Sequence, residues 1–390
     1  MVSSKKSLFV VVAGCAFTSM ASMRVCDAML PQLAQEFHLS TGEASSVIWG
    51  FALAYGVSQL VYGPMGDHYG KLRMIAFATL ACALSNAWSA VSSNFDWLLV
   101  ARCVAGATAA GIIPLAMAWI GDTVAYEARQ VVLAKLLGAT VFGMMSGQWL
   151  GAVAADALGW RWALALLAMV FGVAAVALFK AGGHRCTPAA RPSQGGRHVY
   201  CAVLQRPWAR VVLLVTAMEG AFAFSALAFI PSYLQLRFGL TASAAGLLVV
   251  FYGIGGLIFS RVAGGLVRRC QAAGLAKIGG LCAGLAFMAM AVTPSWYAIP
   301  VACLCAGFGF YALHNTLQVN ATQMAPAHRA TAVAMFACCL FLGQSLGIAA
   351  ASWLIEQSTP SLVFGVAGLG LLMLGFLFSG AMRQRGPNAA

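Results

Sequence analysis

Apolar runs of about 20 residues recur along the whole of this chain, each long enough to cross ~30 Å of hydrocarbon as a helix. A backbone in lipid must satisfy its own hydrogen bonds, so each run is expected to be an α-helix. The alternating pattern of a membrane β-barrel is absent. Composition agrees: of 390 residues, 61% are hydrophobic and 8% charged, against about 25% charged in a soluble domain. Twelve spans are predicted, over 8–30, 43–62, 73–91, 97–119, 131–153, 161–180, 211–231, 243–262, 274–292, 297–318, 331–353 and 361–382. The expected fold class is an all-α membrane protein of twelve transmembrane helices in two pseudo-symmetric six-helix bundles.

A net charge of +13 points to a nucleic-acid partner until it is mapped onto those spans. All but four of the 23 Lys and Arg then fall on one side of the membrane. Arg161 and Arg237 fall on the other side, and Arg24 and Arg102 lie within spans. Cytoplasmic loops collect such an excess, so both termini are expected in the cytoplasm, with the chain in a bacterial-type inner membrane. No nucleic acid is expected as a partner; the lipid bilayer, protons and a small-molecule substrate are, and the chain is expected to be a monomer.

Lys5 and Lys6 before an apolar run resemble a signal peptide, and Val12-Ala13-Gly14-Cys15 a lipoprotein cleavage box. The run continues to Leu30, past the 7–15 residues of a signal h-region, and is expected to be an uncleaved first helix. The 12 cysteines lie mostly within spans. Cys303 and Cys305 are not at zinc spacing, so the thiols read as small apolar filler. Neither a metal nor a cofactor is expected. There is no phosphate-cradling Gly-Lys-Ser or Gly-Lys-Thr loop, no nucleophile elbow and no His-Glu-x-x-His, so an enzyme is not expected.

The longest polar stretch, 181–210, reads as a cytoplasmic linker between an N-terminal bundle, 1–180, and a C-terminal bundle with a short tail, 211–390. The two parts share features. Gly63 lines up with Gly264, and Ala105-Gly106 with Ala306-Gly307, at an offset of 201. Arg129, Gly143 and Gly147 match Arg329, Gly343 and Gly347 at an offset of 200. Internal duplication of this kind marks secondary transporters, whose substrate site lies near the bilayer midplane.

The polar stretch Gly63-Pro64-Met65-Gly66-Asp67-His68-Tyr69-Gly70-Lys71-Leu72-Arg73 gathers opposite charges and three glycines between two spans. Gly63, Asp67, Gly70, Lys71 and Arg73 fill the pattern G-x-x-x-D-x-x-G-[RK]-x-[RK], and over essentially its full length the chain resembles the major facilitator superfamily. Arg102 and Gly106 resemble that family's R-x-x-x-G element. Gly143, Gly147 and Gly151 resemble the glycine-rich element of its drug/proton antiporters, with Gln148 where a proline is usual. Asp27 followed by Pro31 resembles the same branch. The resemblance implies twelve helices, alternating access and a gating role for the Asp67 turn. The residues themselves allow that role too: Asp67 pairing with Arg129 in the next cytoplasmic turn would hold that face shut.

Charges inside spans cost ~2.5–3.5 kcal/mol on insertion scales and line cavities or meet partners. Arg24 and Asp27 are i,i+3 neighbours, and Arg102 lies at a similar depth, so the three are expected to cluster. The cluster is either a structural ion pair or a proton or substrate site. Glu219 has no basic residue at i±3 or i±4 and reads as a protonation site, a receptor for cations or a protonated core group. His314, Asn315 and Gln318 offer polar groups on one further span, as a proton relay or as interhelical hydrogen bonds. Asn86 and Gln344 are weaker candidates. The expectation is a proton-coupled exporter of drug-like or metabolite molecules. A symporter or exchanger of organic anions using Arg24 and Arg102, and a non-transporting sensor or scaffold, stay open.

Overall fold

The computed structural model describes residues 2–183 and 197–385. Residues 184–196 of the expected linker, Arg185 and Arg191 among them, lie outside the described residues. In chain order the α-helices are α1 Val2–Arg24, α2 Leu30–Phe37, α3 Thr41–Ala44, α4 Ser46–Tyr69, α5 Lys71–Ala90, α6 Phe95–Ala109, α7 Ile112–Thr123, α8 Tyr126–Ala157, α9 Trp160–Leu178, α10 Arg197–Leu204, α11 Pro207–Phe238, α12 Ala242–Val292, α13 Ile299–Gln323, α14 Arg329–Gln357 and α15 Pro360–Arg385. Ten helical segments among the described residues are long and apolar enough to cross a membrane. The 20-residue α5 is not one of them, and the 51-residue α12 is a single segment. Inside α12 the backbone leaves helical geometry at Gln271, with φ 58° and ψ 173°.

The chain divides into two compact units. Unit 1 holds residues up to His38 and Ser46–Gly195; unit 2 holds Leu39–Ser45 and Gly196–Ala390. In unit 1, α1 packs on α8, α4 on α6 and α5 on α9. In unit 2, α11 packs on α14, and α12 packs on both α13 and α15. The short helix α3 belongs to unit 2, where the Ser40 hydroxyl donates to Glu356 at 2.7 Å.

Prolines set the breaks that shape unit 1. Pro31 has no N–H to continue the helix, and the chain passes from α1 through a tight 3₁₀ turn, Asp27–Met29, into α2. Pro114 likewise cannot bond back to the Ala110 carbonyl, so the predicted single span over 97–119 is divided into α6 and α7 at Ala110–Gly111. Side chains attend the carbonyls next to that break. The Tyr62 hydroxyl donates to the Thr108 oxygen at 3.3 Å and the Ser19 hydroxyl to the Ala109 oxygen at 3.4 Å. Buried backbone groups in hydrocarbon need such partners.

The polar stretch at 63–73 is not a long turn. Helix α4 continues through it to Tyr69, and only Gly70 turns the chain, at φ 91° and ψ 129°. Pro64 removes one i→i−4 bond without ending α4, and of the three glycines Gly63 and Gly66 lie within the helix.

Candidate functional site

Two buried charge clusters stand out, one in each unit. In unit 1, Arg24 ends α1 and Asp27 opens the 3₁₀ turn that Pro31 imposes. Their side chains meet at 3.1 Å, and neither is exposed to any degree. Arg102, also fully buried, comes from α6. Its guanidinium donates to the Ser22 carbonyl at 2.7 Å and to the Ser22 hydroxyl at 3.3 Å. It lies over the Phe51 ring at 4.5 Å from the centroid. The Ser22 hydroxyl donates to Asn86 at 3.2 Å, and the Asn86 amide to the Cys82 carbonyl at 2.8 Å. The charges of both arginines act on Asp27. The expected grouping of Arg24, Asp27 and Arg102 is therefore present, with an i,i+3 ion pair between the end of α1 and the 3₁₀ turn and Arg102 anchored to helix backbone.

In unit 2, Glu219 on α11 is fully buried and sits 2.9 Å from His314 Nδ1 on α13. The imidazole, 18% exposed, stacks on Phe310 at 5.2 Å and meets Phe336 at 5.4 Å. Phe310 in turn meets Phe224 and Tyr252. The sequence offers Glu219 and His314 as separate candidates, and the structure brings them together from α11 and α13. Helix α13 runs on to Gln323, which sets His314 some 13 Å from that end. Asn315 is half-buried and Gln318 exposed, with no hydrogen bond from either side chain among the described residues. Gln344 is fully buried on α14, and its backbone nitrogen lies beside Gly220.

In the polar stretch, Lys71 lies 3.8 Å from Asp67 and bonds to Asp122 at the end of α7. Arg129 donates to the Val124 carbonyl at 3.3 Å. The partner seen on Asp67 is thus Lys71 rather than the expected Arg129, since Gly70 folds α5 back and brings Lys71 within reach. Asp122 carries no motif in the sequence; its place one residue from the end of α7 is what brings it to the turn. Arg73 stacks over Phe77 at 5.7 Å. Gly63 faces open space, whereas a Cβ on Gly66 would strike Leu115. The packing glycines are clearer. A Cβ on Gly106 would fall on the Phe51 carbonyl, and on Gly143, Gly147 and Gly151 on those of Phe17, Ala21 and Val25.

The sequence model of the Major Facilitator Superfamily matches residues 12–346. The uncharacterized MFS-type transporter YceJ of Bacillus subtilis (strain 168) is 21% identical over 339 residues, 85% of this chain and 84% of YceJ. The chloramphenicol resistance protein of Streptomyces lividans is 26% identical over 256 residues, 65% of this chain and 64% of that protein, just under two thirds of its length. Among solved structures, the nucleoside transporter NupG superposes with a TM-score of 0.80 at 12% identity, covering 96% of this chain and 99% of NupG. That likeness concerns the fold. Together with the multi-pass helical architecture, these matches place the chain in the major facilitator superfamily, whose members carry small-molecule substrates through membranes.

Proposed function

We propose that the chain is a proton-coupled secondary active transporter that exports drug-like or metabolite molecules from the cytoplasm by alternating access. One observation carries the reading: Glu219, a carboxyl group with no exposure, faces the titratable imidazole of His314 within a span. Such a group in hydrocarbon is costly and is kept for use. The chloramphenicol resistance protein among the relatives supports export.

The reading takes twelve crossings, with both termini cytoplasmic, in a bacterial-type inner membrane. Helix α12, at ~1.5 Å per residue, is more than twice as long as a bilayer core is thick and crosses twice about Gln271. Helix α5 supplies the remaining crossing. Residues 1–180 and 211–390 form the two bundles, and the working protein is a monomer. Gly63, Asp67, Gly70, Lys71, Arg73 and Arg129 belong to the cytoplasmic gate. Asn315 and Gln318 contact substrate.

Reconstituted vesicles test this with labelled chloramphenicol and ethidium as probes. Flux is expected against a concentration gradient when a pH gradient is imposed, falling to the leak rate when nigericin collapses it. Absence of flux, or flux indifferent to the gradient, overturns the reading. A second reading, an exchanger of organic anions, is favoured by the two fully buried arginines held against one acid. Labelled succinate in the same vesicles separates the two.

A further inference from the structure

We propose that Glu219 and His314 are the single proton-exchange site of the transporter, and that Arg24, Asp27 and Arg102 are a fixed charge lock that does not titrate during the cycle. This rests on the proton-coupled reading above and decides between its two acids.

The two carboxylates differ in what they face. Asp27 faces permanent charge. Arg24 is 3.1 Å away, and both side chains are fully buried. Arg102 is fully buried as well and makes no ion pair among the described residues. Its Nη1 and Nη2 donate to Ser22, its face lies over the Phe51 ring, and Ser22 is held by Asn86. An arginine does not shed its proton in a protein. Protonating Asp27 would therefore take the cluster from one excess positive charge to two, with no second acid beside it among the described residues. Nothing in the cluster can absorb that change.

Glu219 faces a partner that can absorb it. An imidazole titrates near neutral pH. His314 presents 18% of its side chain to the surroundings, whereas Glu219 presents none. The imidazole is the entry group and the carboxylate the buried counter-charge. A proton arrives at Nε2 as the Nδ1 proton passes to Glu219 Oε2 across 2.9 Å, so an N–H bond forms at Nε2, the Nδ1–H bond breaks and an O–H bond forms on the carboxyl. The pair then passes from one negative charge to none, and loss of the same proton restores it. The bonds that change are N–H and O–H bonds, with one proton gained and one lost per cycle.

Among the described residues, the other elements around α11 bring no further charge that acts on Glu219. Helix α14 brings Gln344 and Phe336, and α12 brings Tyr252. Helix α15 meets α11 at Phe222, whose ring lies against Gly370. On α11 itself, the Thr216 hydroxyl is spent on the Val212 carbonyl. Helix α10, with His198, leads into the start of α11, about 18 Å along the axis from Glu219. His314 is the titratable group whose charge acts on Glu219.

Infrared difference spectroscopy of the full-length protein in nanodiscs, titrated with pH, reads the protonated carboxyl stretch without any substrate. A buried carboxyl band that titrates is expected in the wild type, absent in Glu219→Gln and moved in midpoint by His314→Gln. It should persist in the charge swap Arg24→Asp with Asp27→Arg, and in the neutral pair Arg24→Gln with Asp27→Asn should the swap fail to fold. A titrating band that survives Glu219→Gln, or that disappears in the folded Asp27 variants, overturns the proposal. A band lost in Glu219→Gln while wild-type vesicles show no gradient-driven flux upholds the site and overturns the proton-coupled transport reading instead.

Discussion

A Cβ placed on Gly143 of unit 1 would fall on the carbonyl of Phe17, and one placed on Gly343 of unit 2 on that of Ala217. Gly147 and Ala21 repeat as Gly347 and Ala221, and Gly106 and Phe51 as Gly307 and Tyr252. The contacts are the same to within one residue of a constant offset, so both units bring the same pairs of helices to backbone contact. Close approach in lipid rests on small residues because apolar tails offer no hydrophobic drive between helices. The chemistry does not repeat. Ser22, Asp27, Asn86 and Arg102 of unit 1 correspond to Phe222, Leu227, Phe287 and Cys303. Glu219 and His314 correspond to Ser19 and Ile113. Because each unit folds without the other's polar cluster, neither cluster is required by the shared skeleton. The packing is common to both units, whereas one holds a buried Arg24–Asp27 pair and the other a buried Glu219 facing His314.

The largest effect should come from breaking the lock asymmetrically. Arg24→Phe, which imports the unit 2 residue, leaves Asp27 buried beside only the committed Arg102. A cost of about 3–5 kcal/mol is expected, as for other buried pairs that lose one member. Adding Asp27→Leu imports the matching unit 2 residue and should recover more than half of it. Thermal unfolding in detergent, followed by tryptophan fluorescence, checks both. A double variant no better than the single would mean that the lock is part of the unit 1 scaffold, and the comparison above would fail.

Glycine contacts come next. Gly143→Ala and Gly343→Ala both drive a methyl onto backbone, which cannot rotate away, so each should cost about 1–3 kcal/mol. The two losses should agree within about 1 kcal/mol, because the contacts are equivalent. Position 151 sharpens the point: glycine meets the Val25 carbonyl there, but the unit 2 position is a buried Ala351. Gly151→Ala should therefore cost more than Ala351→Gly.

A smaller effect is expected where the chain reverses. Gly70 turns unit 1 with φ 91°, and its counterpart in unit 2 is Gln271 with φ 58° and ψ 173°. A side chain there is strained, and glycine is not. Gln271→Gly should stabilise by about 1 kcal/mol and Gly70→Ala should destabilise by a similar amount. Opposite signs at matched positions are the test; equal signs would mean that the two reversals are not homologous in conformation.

How much of this was legible in the sequence depended on range. The glycine repeat was readable because offsets survive in one dimension, and the clustering of Arg24, Asp27 and Arg102 followed from i,i+3 spacing and depth. Pro31 was noticed for its resemblance to a motif, while its mechanical result, the 3₁₀ turn that aims Asp27, needed coordinates. Pro114 went unread, so a broken helix was drawn as one. The Glu219–His314 pair was not legible because it joins two helices far apart in sequence, and spacing along one helix does not give its partner on another. Asp67 was paired with Arg129 on the assumption of an open turn; a helix that persists to Tyr69 changes which cation comes near. Side-chain partners across helices depend on rotation about each axis, which a hydropathy pattern this apolar leaves undetermined.

The smallest stability effect should belong to the Lys71 network, and its smallness is informative. Lys71 is 16% exposed, Asp67 23% and Asp122 57%. Ion pairs this wet are worth less than about 1 kcal/mol and weaken further with salt. Unit 2 shows that the turn does not need them, since Arg268 and Ala272 occupy the places of Asp67 and Lys71 and the chain still reverses. Lys71→Ala should therefore lower stability by less than about 1 kcal/mol, with the difference shrinking in 1 M salt. If the turn is a gate, gradient-driven flux in vesicles should fall tenfold or more in the same variant. A loss of flux without a loss of stability separates switching from folding at this turn. A variant that unfolds as readily as Arg24→Phe would instead show that unit 1 came to depend structurally on charges its twin never acquired.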